Sequence, residues 1–196
     1  MRSSRLQEGM FSVERAAKLL LWTCLMYQYT EVEGMEVPIG NEILTLFGAD
    51  AHDPSPAINA AMAMTHCRHR RVFWERHADT KAVVAWGRRT IVVAFRGTAT
   101  VRNAKLDLQL YRDEMPDIPE DFTSRAAGAC LPCSGRRPRV HAGFMASYQA
   151  SGIKRKILAL VMSLFASGEV KRASARVYTT GHSLGGALAS MCAGAP

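Results

Sequence analysis

A chain of 196 residues, 48% of them apolar and without low-complexity bias, is long enough for one globular domain, which excludes a disordered or fibrous protein. The formal net charge of +8 comes from scattered clusters rather than from one basic stripe interleaved with aromatic residues, so no nucleic-acid partner is expected. The same charge leaves adsorption to an anionic lipid surface open.

The cysteines and the N-terminal residues indicate whether a metal site or a membrane-spanning segment is to be expected. A single C-x-x-C pair, Cys130 and Cys133, lacks the second pair that a structural zinc site needs, so no metal site is expected. The most apolar run, residues 19–27, is too short to cross a bilayer, and no signal-peptide cleavage pattern follows it. The sequence therefore predicts no transmembrane segment and favours a cytoplasmic or peripheral membrane location.

Two helices are predicted in the first third of the chain. An amphipathic helix runs from Ser12, its candidate N-cap, to about Gln28. Residues 31–56 contain three prolines and read as connecting structure, with a helical turn around Asn41 to Phe47. A short helix then begins with Ser55-Pro56 and extends through Met64. The apolar positions of the first helix are Val13, Ala17, Leu20, Leu21, Cys24 and Leu25.

Beyond residue 71 the pattern changes to short runs of β-branched and aromatic residues separated by turn formers. The runs are Val72–Trp74, Ala82–Trp86 and Thr90–Phe95, and they predict an antiparallel meander. The third run is continuously apolar, which is typical of a central buried strand. A loop-rich insert over residues 113–139 follows, and then an amphipathic helix with apolar residues from Ile153 to Phe165.

The most informative stretch lies near the end of the sequence. An apolar run, Val177–Thr180, meets Gly181-His182-Ser183-Leu184-Gly185 and then a helix-prone stretch of small residues. Gly-x-Ser-x-Gly between a strand and a helix is the pattern of a nucleophile elbow. The glycines let the strand and helix pass closely, and the serine stands exposed in a strained turn. Ser183 is the candidate nucleophile, and the Leu184 N–H is the candidate oxyanion donor.

Three further blocks precede the elbow in a fixed order. The four are Ala94-Phe95-Arg96-Gly97-Thr98, Asn103 with Asp107-Leu108, Val140-His141-Ala142-Gly143-Phe144, and Thr180-Gly181-His182-Ser183-Leu184-Gly185-Gly186-Ala187. In this order they resemble the class 3 lipases, the fungal triacylglycerol lipase-like family of α/β-hydrolases. The resemblance implies an α/β-hydrolase fold with a central, mostly parallel sheet, an antiparallel N-terminal meander and flanking helices. It covers a motif-bearing core over residues 71–196, preceded by a helical and connecting region over residues 1–70, in one domain.

The resemblance also implies roles for single residues. Ser183 corresponds to the family's nucleophile, and Leu184 follows it as one oxyanion donor. Thr98 matches the second oxyanion residue, whose backbone N–H and hydroxyl face the developing charge. Asp107 has the spacing of the aspartate that orients this hydroxyl, and His182 lies beside the nucleophile in the elbow.

Two other segments have implied places in the family. His141 matches a histidine that is structural. Residues 99–106 lie where such lipases have their lid, but they lack the tryptophan of the best-known fungal lids.

The reaction implied is hydrolysis of acylglycerols or related lipid esters through a serine acyl-enzyme, in lipid metabolism and without a cofactor. In the family the acid and the histidine follow the serine, whereas residues 184–196 contain neither. We therefore expect the domain to be incomplete at its C-terminus, as in a fragment or a prematurely ended gene product. The alternative is a catalytically inactive, truncated lipase-like protein that acts in lipid binding or protein interaction.

Overall fold

A computed structural model describes residues 12–28, 46–48, 55–75, 80–97, 112–114, 139–149 and 152–194. The C-x-x-C pair, the expected lid segment and most of the turn expected around Asn41 to Phe47 lie outside these ranges. In chain order, the helices and strands are α1 (Val13–Gln28), α2 (Ser55–Met64), β1 (His69–Glu75), β2 (Thr80–Trp86), β3 (Thr90–Phe95), β4 (Arg112–Glu114), β5 (Arg139–His141), α3 (Ala142–Gln149), α4 (Ile153–Ala166), a 3-10 helix (Arg172–Ser174), β6 (Arg176–Gly181) and α5 (Leu184–Ala193).

The first two helices form where the sequence predicts them. The Ser12 hydroxyl caps α1 by accepting a hydrogen bond from the Arg15 N–H, at 3.3 Å. The predicted apolar face is partly wrong, because Val13 is 75% exposed and Leu20 is 48% exposed. The helix is instead rotated so that Trp22 is fully buried. Its indole N–H donates to the Thr65 hydroxyl at the end of α2, a long-range contact that helical spacing alone does not reveal.

Four strands form a mixed sheet in the order β1-β2-β3-β6. The first two pairs are antiparallel, which confirms the predicted meander, and β3 pairs with β6 in parallel. Residues 91–95 of β3 are all buried, as predicted for a central strand. The parallel register aligns Phe95 with Gly181, so the two strands end side by side. The chain that leaves β3 and the predicted elbow therefore lie at the same edge of the sheet.

The segment predicted as a loop-rich insert has regular structure at both ends. β4 pairs with β5 in an antiparallel ladder that aligns Arg112 with His141. The prediction of loop over residues 113–139 is therefore wrong at its two ends. Three residues on each side carry no period-2 pattern long enough to detect, and their pairing joins positions far apart in the chain.

Helices cover both faces of the sheet. Alternate residues of β2 point to opposite sides, so Val83 packs in a core with α1 and α2, whereas Val84 packs in a second core with α3, α4 and α5. Each fully buried aliphatic side chain contributes about 1.5–3 kcal/mol to stability. The first core joins the N-terminal helices to the sheet. Within the described ranges, no helix has both the length and the apolar character to span a bilayer.

Candidate active site

Ser183 occupies the turn between β6 and α5. Its backbone has φ 56° and ψ −126°, and its side chain is exposed. Residues other than glycine rarely adopt positive φ, and in the described part of the chain only His66 shares this feature with Ser183. Such a conformation costs about 1–3 kcal/mol and persists only where the surrounding structure enforces it.

Glycines permit this turn because neighbouring backbone segments lie too close to leave room for side chains. A Cβ atom on Gly181 would overlap the Gly185 carbonyl group, and one on Gly185 would lie 2.5 Å from the Phe95 carbonyl oxygen. A Cβ atom on Gly97 would lie 2.6 Å from the His182 carbonyl oxygen and 3.5 Å from the Ser183 Cβ. The turn that follows β3 is therefore packed directly against the serine turn.

The first turn of α5 directs its backbone N–H groups toward the turn at Ser183. The Gly185 N–H donates to the His182 carbonyl and the Gly186 N–H donates to the Ser183 carbonyl, both at 2.9 Å. Among the described residues, no acceptor is assigned to the Leu184 N–H. A free N–H at a helix N-terminus, where the helix dipole is positive, can stabilise a negative charge that forms beside Ser183.

Helix α1 contacts this turn through its last residues. The Tyr27 hydroxyl is hydrogen bonded to Nδ1 of His182, at 2.9 Å, and the two rings meet edge to face. One turn earlier, the hydroxyls of Thr23 and Thr180 are hydrogen bonded at 2.8 Å. Burial raises the pKa of the Tyr27 phenol, and a bond from the Gly97 backbone N–H opposes that shift.

Sequence reasoning missed Tyr27. The only local signal is its place four residues after Thr23 on the same face of α1. Nothing in the sequence indicates that this face meets residues about 155 positions further along the chain.

Several predicted site residues are brought together and others are not described. Gly181, His182, Ser183, Leu184 and Gly185 form the single turn just described, whereas Thr98 and Asp107 lie outside the described residues.

His141 lies on β5 and makes local contacts. Its Nδ1 accepts the Gly143 N–H at 3.1 Å, and its ring packs on Phe144 at 4.9 Å between centroids. Within the described ranges, no histidine is hydrogen bonded to the Ser183 hydroxyl, and no group of three or more His, Cys, Asp or Glu residues could hold a metal ion.

A strand, a strained serine turn and a helix, set on a mixed sheet between two helical layers, define an α/β-hydrolase. The family model described as Lipase (class 3) matches residues 92–195, just over half of the sequence, and the chain belongs to this family.

Known proteins of the family are similar over part of their length. A lipase of Rhizomucor miehei is 35% identical over 117 residues, which cover 59% of this chain and 26% of that protein. Phospholipase A1-II 4 of Oryza sativa subsp. japonica is 33% identical over 136 residues, or 63% of this chain and 31% of that protein. The matches therefore span less than a third of these two relatives.

Solved structures are similar over nearly all of this chain. The triacylglyceride lipase of Rhizomucor miehei has a TM-score of 0.54 at 25% identity, with 93% of this chain and 55% of that chain covered. The mono- and diacylglycerol lipase of Aspergillus oryzae has a TM-score of 0.57 at 18% identity, with 94% and 57% covered. The second similarity concerns the fold alone.

Proposed function

We propose that this chain carries the nucleophile and the oxyanion hole of a lipid ester hydrolase that works through a serine acyl-enzyme. The observation that carries the proposal is the backbone of Ser183, held at φ 56° before the N-terminus of α5. Strain of this kind is concentrated at functional sites, because it persists only when packing enforces it. Here the packing is the contact of Gly181 with Gly185 and of Gly185 with the end of β3.

In the proposed reaction, the Ser183 hydroxyl attacks the ester carbonyl and forms an acyl-enzyme with loss of the alcohol. The Leu184 N–H stabilises the oxyanion of the tetrahedral intermediate, and each such donor contributes about 3 kcal/mol. Thr98 supplies the second donor, and Asp107 orients its hydroxyl. The 3.5 Å between the Ser183 Cβ and a Cβ position on Gly97 supports the role of Thr98, which is the next residue in the chain.

A serine hydroxyl needs a histidine to accept its proton and a carboxylate to orient that histidine. The family order puts both after the serine, and residues 184–196 contain no Asp, Glu or His. The proposal therefore assigns neither partner to a residue of this sequence.

The proposed substrates are fatty acyl esters of glycerol. The relatives are named as a lipase and a phospholipase A1, and the solved neighbours as triacylglyceride and mono- and diacylglycerol lipases. These names share the acyl ester and differ in what else the glycerol carries. The net charge of +8 supports adsorption to anionic lipid surfaces, where such substrates occur.

The test is fatty acid release by the natural protein produced in its source organism, with emulsified triacylglycerol and with phosphatidylcholine vesicles as substrates. We expect Ser183→Ala to lower the rate at least about a thousandfold. The matched control is Ser190→Ala, an exposed serine on α5 whose hydroxyl donates to the Gly186 carbonyl. Hydrolysis that survives Ser183→Ala would overturn the proposal. Lipid binding without hydrolysis in the natural protein would favour the inactive alternative.

A further inference from the structure

We propose that Tyr27 is a positioning residue, whose hydroxyl joins the turn after β3 to the turn at Ser183 and fixes the tautomer of His182. Its consequence for catalysis rests on the function proposed above, whereas the linkage itself does not. The residue lies at the end of α1, so a helix remote in sequence would hold both halves of the site in register.

Three segments converge on one phenol oxygen. It lies 2.9 Å from Nδ1 of His182, the residue before Ser183. It also lies 2.5 Å from the position that a Cβ atom on Gly97 would occupy. The hydroxyl is therefore bonded to the turn at Ser183 and touches the backbone of the turn after β3, so it closes a bridge between them.

The Tyr27 hydroxyl makes a hydrogen bond to Nδ1 of His182 and a close approach to the backbone of Gly97. The Gly97 backbone N–H opposes the rise in the pKa of Tyr27 that burial causes. In the inferred arrangement the phenol donates its proton to Nδ1 of His182. A neutral His182 that accepts at Nδ1 carries its own proton on Nε2. The bridge therefore selects one tautomer of an exposed imidazole.

The bridge matters because the two turns must stay in contact for the proposed oxyanion hole to work. A displacement of about 1 Å between groups that must act together can lower a rate about a hundredfold. The Thr23 and Thr180 hydroxyls, bonded at 2.8 Å, anchor α1 to β6 one turn earlier. Tyr27 is thus presented from a fixed helix rather than from a free loop.

The competing explanation is that Tyr27 serves only as an aromatic packing residue. Its ring meets the His182 ring edge to face with 6.1 Å between centroids, and Phe would preserve this contact. Tyr27→Phe removes the hydroxyl alone and so separates the two explanations. Tyr178→Phe is the matched control, because Tyr178 lies on β6 with its ring under the Arg15 guanidinium and makes no described contact with the elbow.

The experiment uses the full natural protein with ¹⁵N-labelled histidine, and it has two readouts. Long-range ¹H–¹⁵N spectra at about pH 8.5, where an ordinary imidazole is neutral, report the His182 tautomer. Steady-state hydrolysis of a soluble short-chain ester reports kcat and KM separately. For the parent protein and Tyr178→Phe we expect a single Nε2–H tautomer. For Tyr27→Phe we expect a tautomer mixture and a kcat lowered about tenfold or more, with KM nearly unchanged.

A Tyr27→Phe protein that matches Tyr178→Phe in both spectra and kcat would overturn the inference. A changed tautomer with unchanged kcat would overturn the positioning role and leave a structural bond. Failure of the proposed function is recognised separately, as hydrolysis that persists in Ser183→Ala. In that case the catalytic role of Tyr27 is also overturned, whatever the tautomer spectra show.

Discussion

The carbonyl oxygen of Phe95 lies 2.5 Å from the position that a Cβ atom on Gly185 would occupy. The first turn of α5 thus rests directly on the backbone at the end of β3, and no flexible side chain separates them. We predict that Gly185→Ala lowers the free energy of unfolding by about 1–3 kcal/mol, because two backbone segments must move apart. Urea denaturation of the purified chain measures this change.

Gly186→Ala is the control for that prediction. A Cβ atom on Gly186 would lie 3.2 Å from its nearest atom, the Gly181 carbonyl oxygen, and alanine favours a helix more than glycine does. We expect a much smaller loss of stability for this neighbour. Equal effects of the two substitutions would contradict the packing described for Gly185.

Replacement of Ser183 by glycine and by alanine should separate backbone strain from chemistry. Both remove the hydroxyl, but only glycine adopts φ 56° and ψ −126° without strain. We predict that Ser183→Gly is more stable than Ser183→Ala by about 1 kcal/mol in thermal or urea unfolding. If the two variants unfold together, the turn at residue 183 is not strained in solution.

Much of this architecture can be predicted from local sequence, and the exceptions share a cause. Helical spacing locates α1 and α4, the Ser55-Pro56 pair locates the start of α2, and runs of β-branched and aromatic residues locate the first three strands. The glycine spacing locates the turn at Ser183. The exposure of Val13 and Leu20 and the bond from Tyr27 to His182 depend on which distant segments α1 meets. A single sequence reveals periodicity along the chain, but it does not reveal which distant segments pack against each other.

The exposed strand β6 provides a test of association. It forms one edge of the described sheet, and its residue Val177 is 51% exposed. An apolar strand edge invites pairing between chains, and a lysine there opposes it. We predict that Val177→Lys reduces aggregation of the isolated chain, measured by light scattering, and changes the free energy of unfolding by less than about 0.5 kcal/mol.

Met162→Lys controls for the loss of an exposed apolar side chain, because Met162 is 57% exposed on α4, away from any strand edge. Its scattering should match that of the parent chain. An equal effect of both lysines would show that general hydrophobicity, and not the β6 edge, drives association.

Cys24 and Cys67 should resist alkylation in the folded chain. Both are nearly inaccessible, and burial raises the pKa of each thiol, so fewer thiolates form at a given pH. We predict that iodoacetamide at about pH 8 modifies them at least a hundredfold more slowly than in denaturant, as measured by peptide mass mapping.

The same shifts make stability depend on pH. Because the folded chain holds these thiol protons more tightly, the contribution of the two thiols to the free energy of unfolding is complete below the ordinary thiol pKa of about 9. It is lost as pH rises through the folded values.

Rapid labelling of both cysteines by iodoacetamide under native conditions would contradict the buried arrangement of the first core.

The most direct test of the account is the site of covalent labelling by a fluorophosphonate in the natural protein, immunoprecipitated from its source. Fragmentation of the tryptic peptide that begins at Val177 distinguishes Ser183 from Ser190. The account predicts a phosphonyl adduct on Ser183, with Ser190 unmodified, because Ser183 lies in the strained turn beside the Leu184 N–H, whereas the Ser190 hydroxyl donates to the Gly186 carbonyl within α5. A folded protein whose Ser183 stays unmodified, or whose two serines are labelled equally, would contradict it.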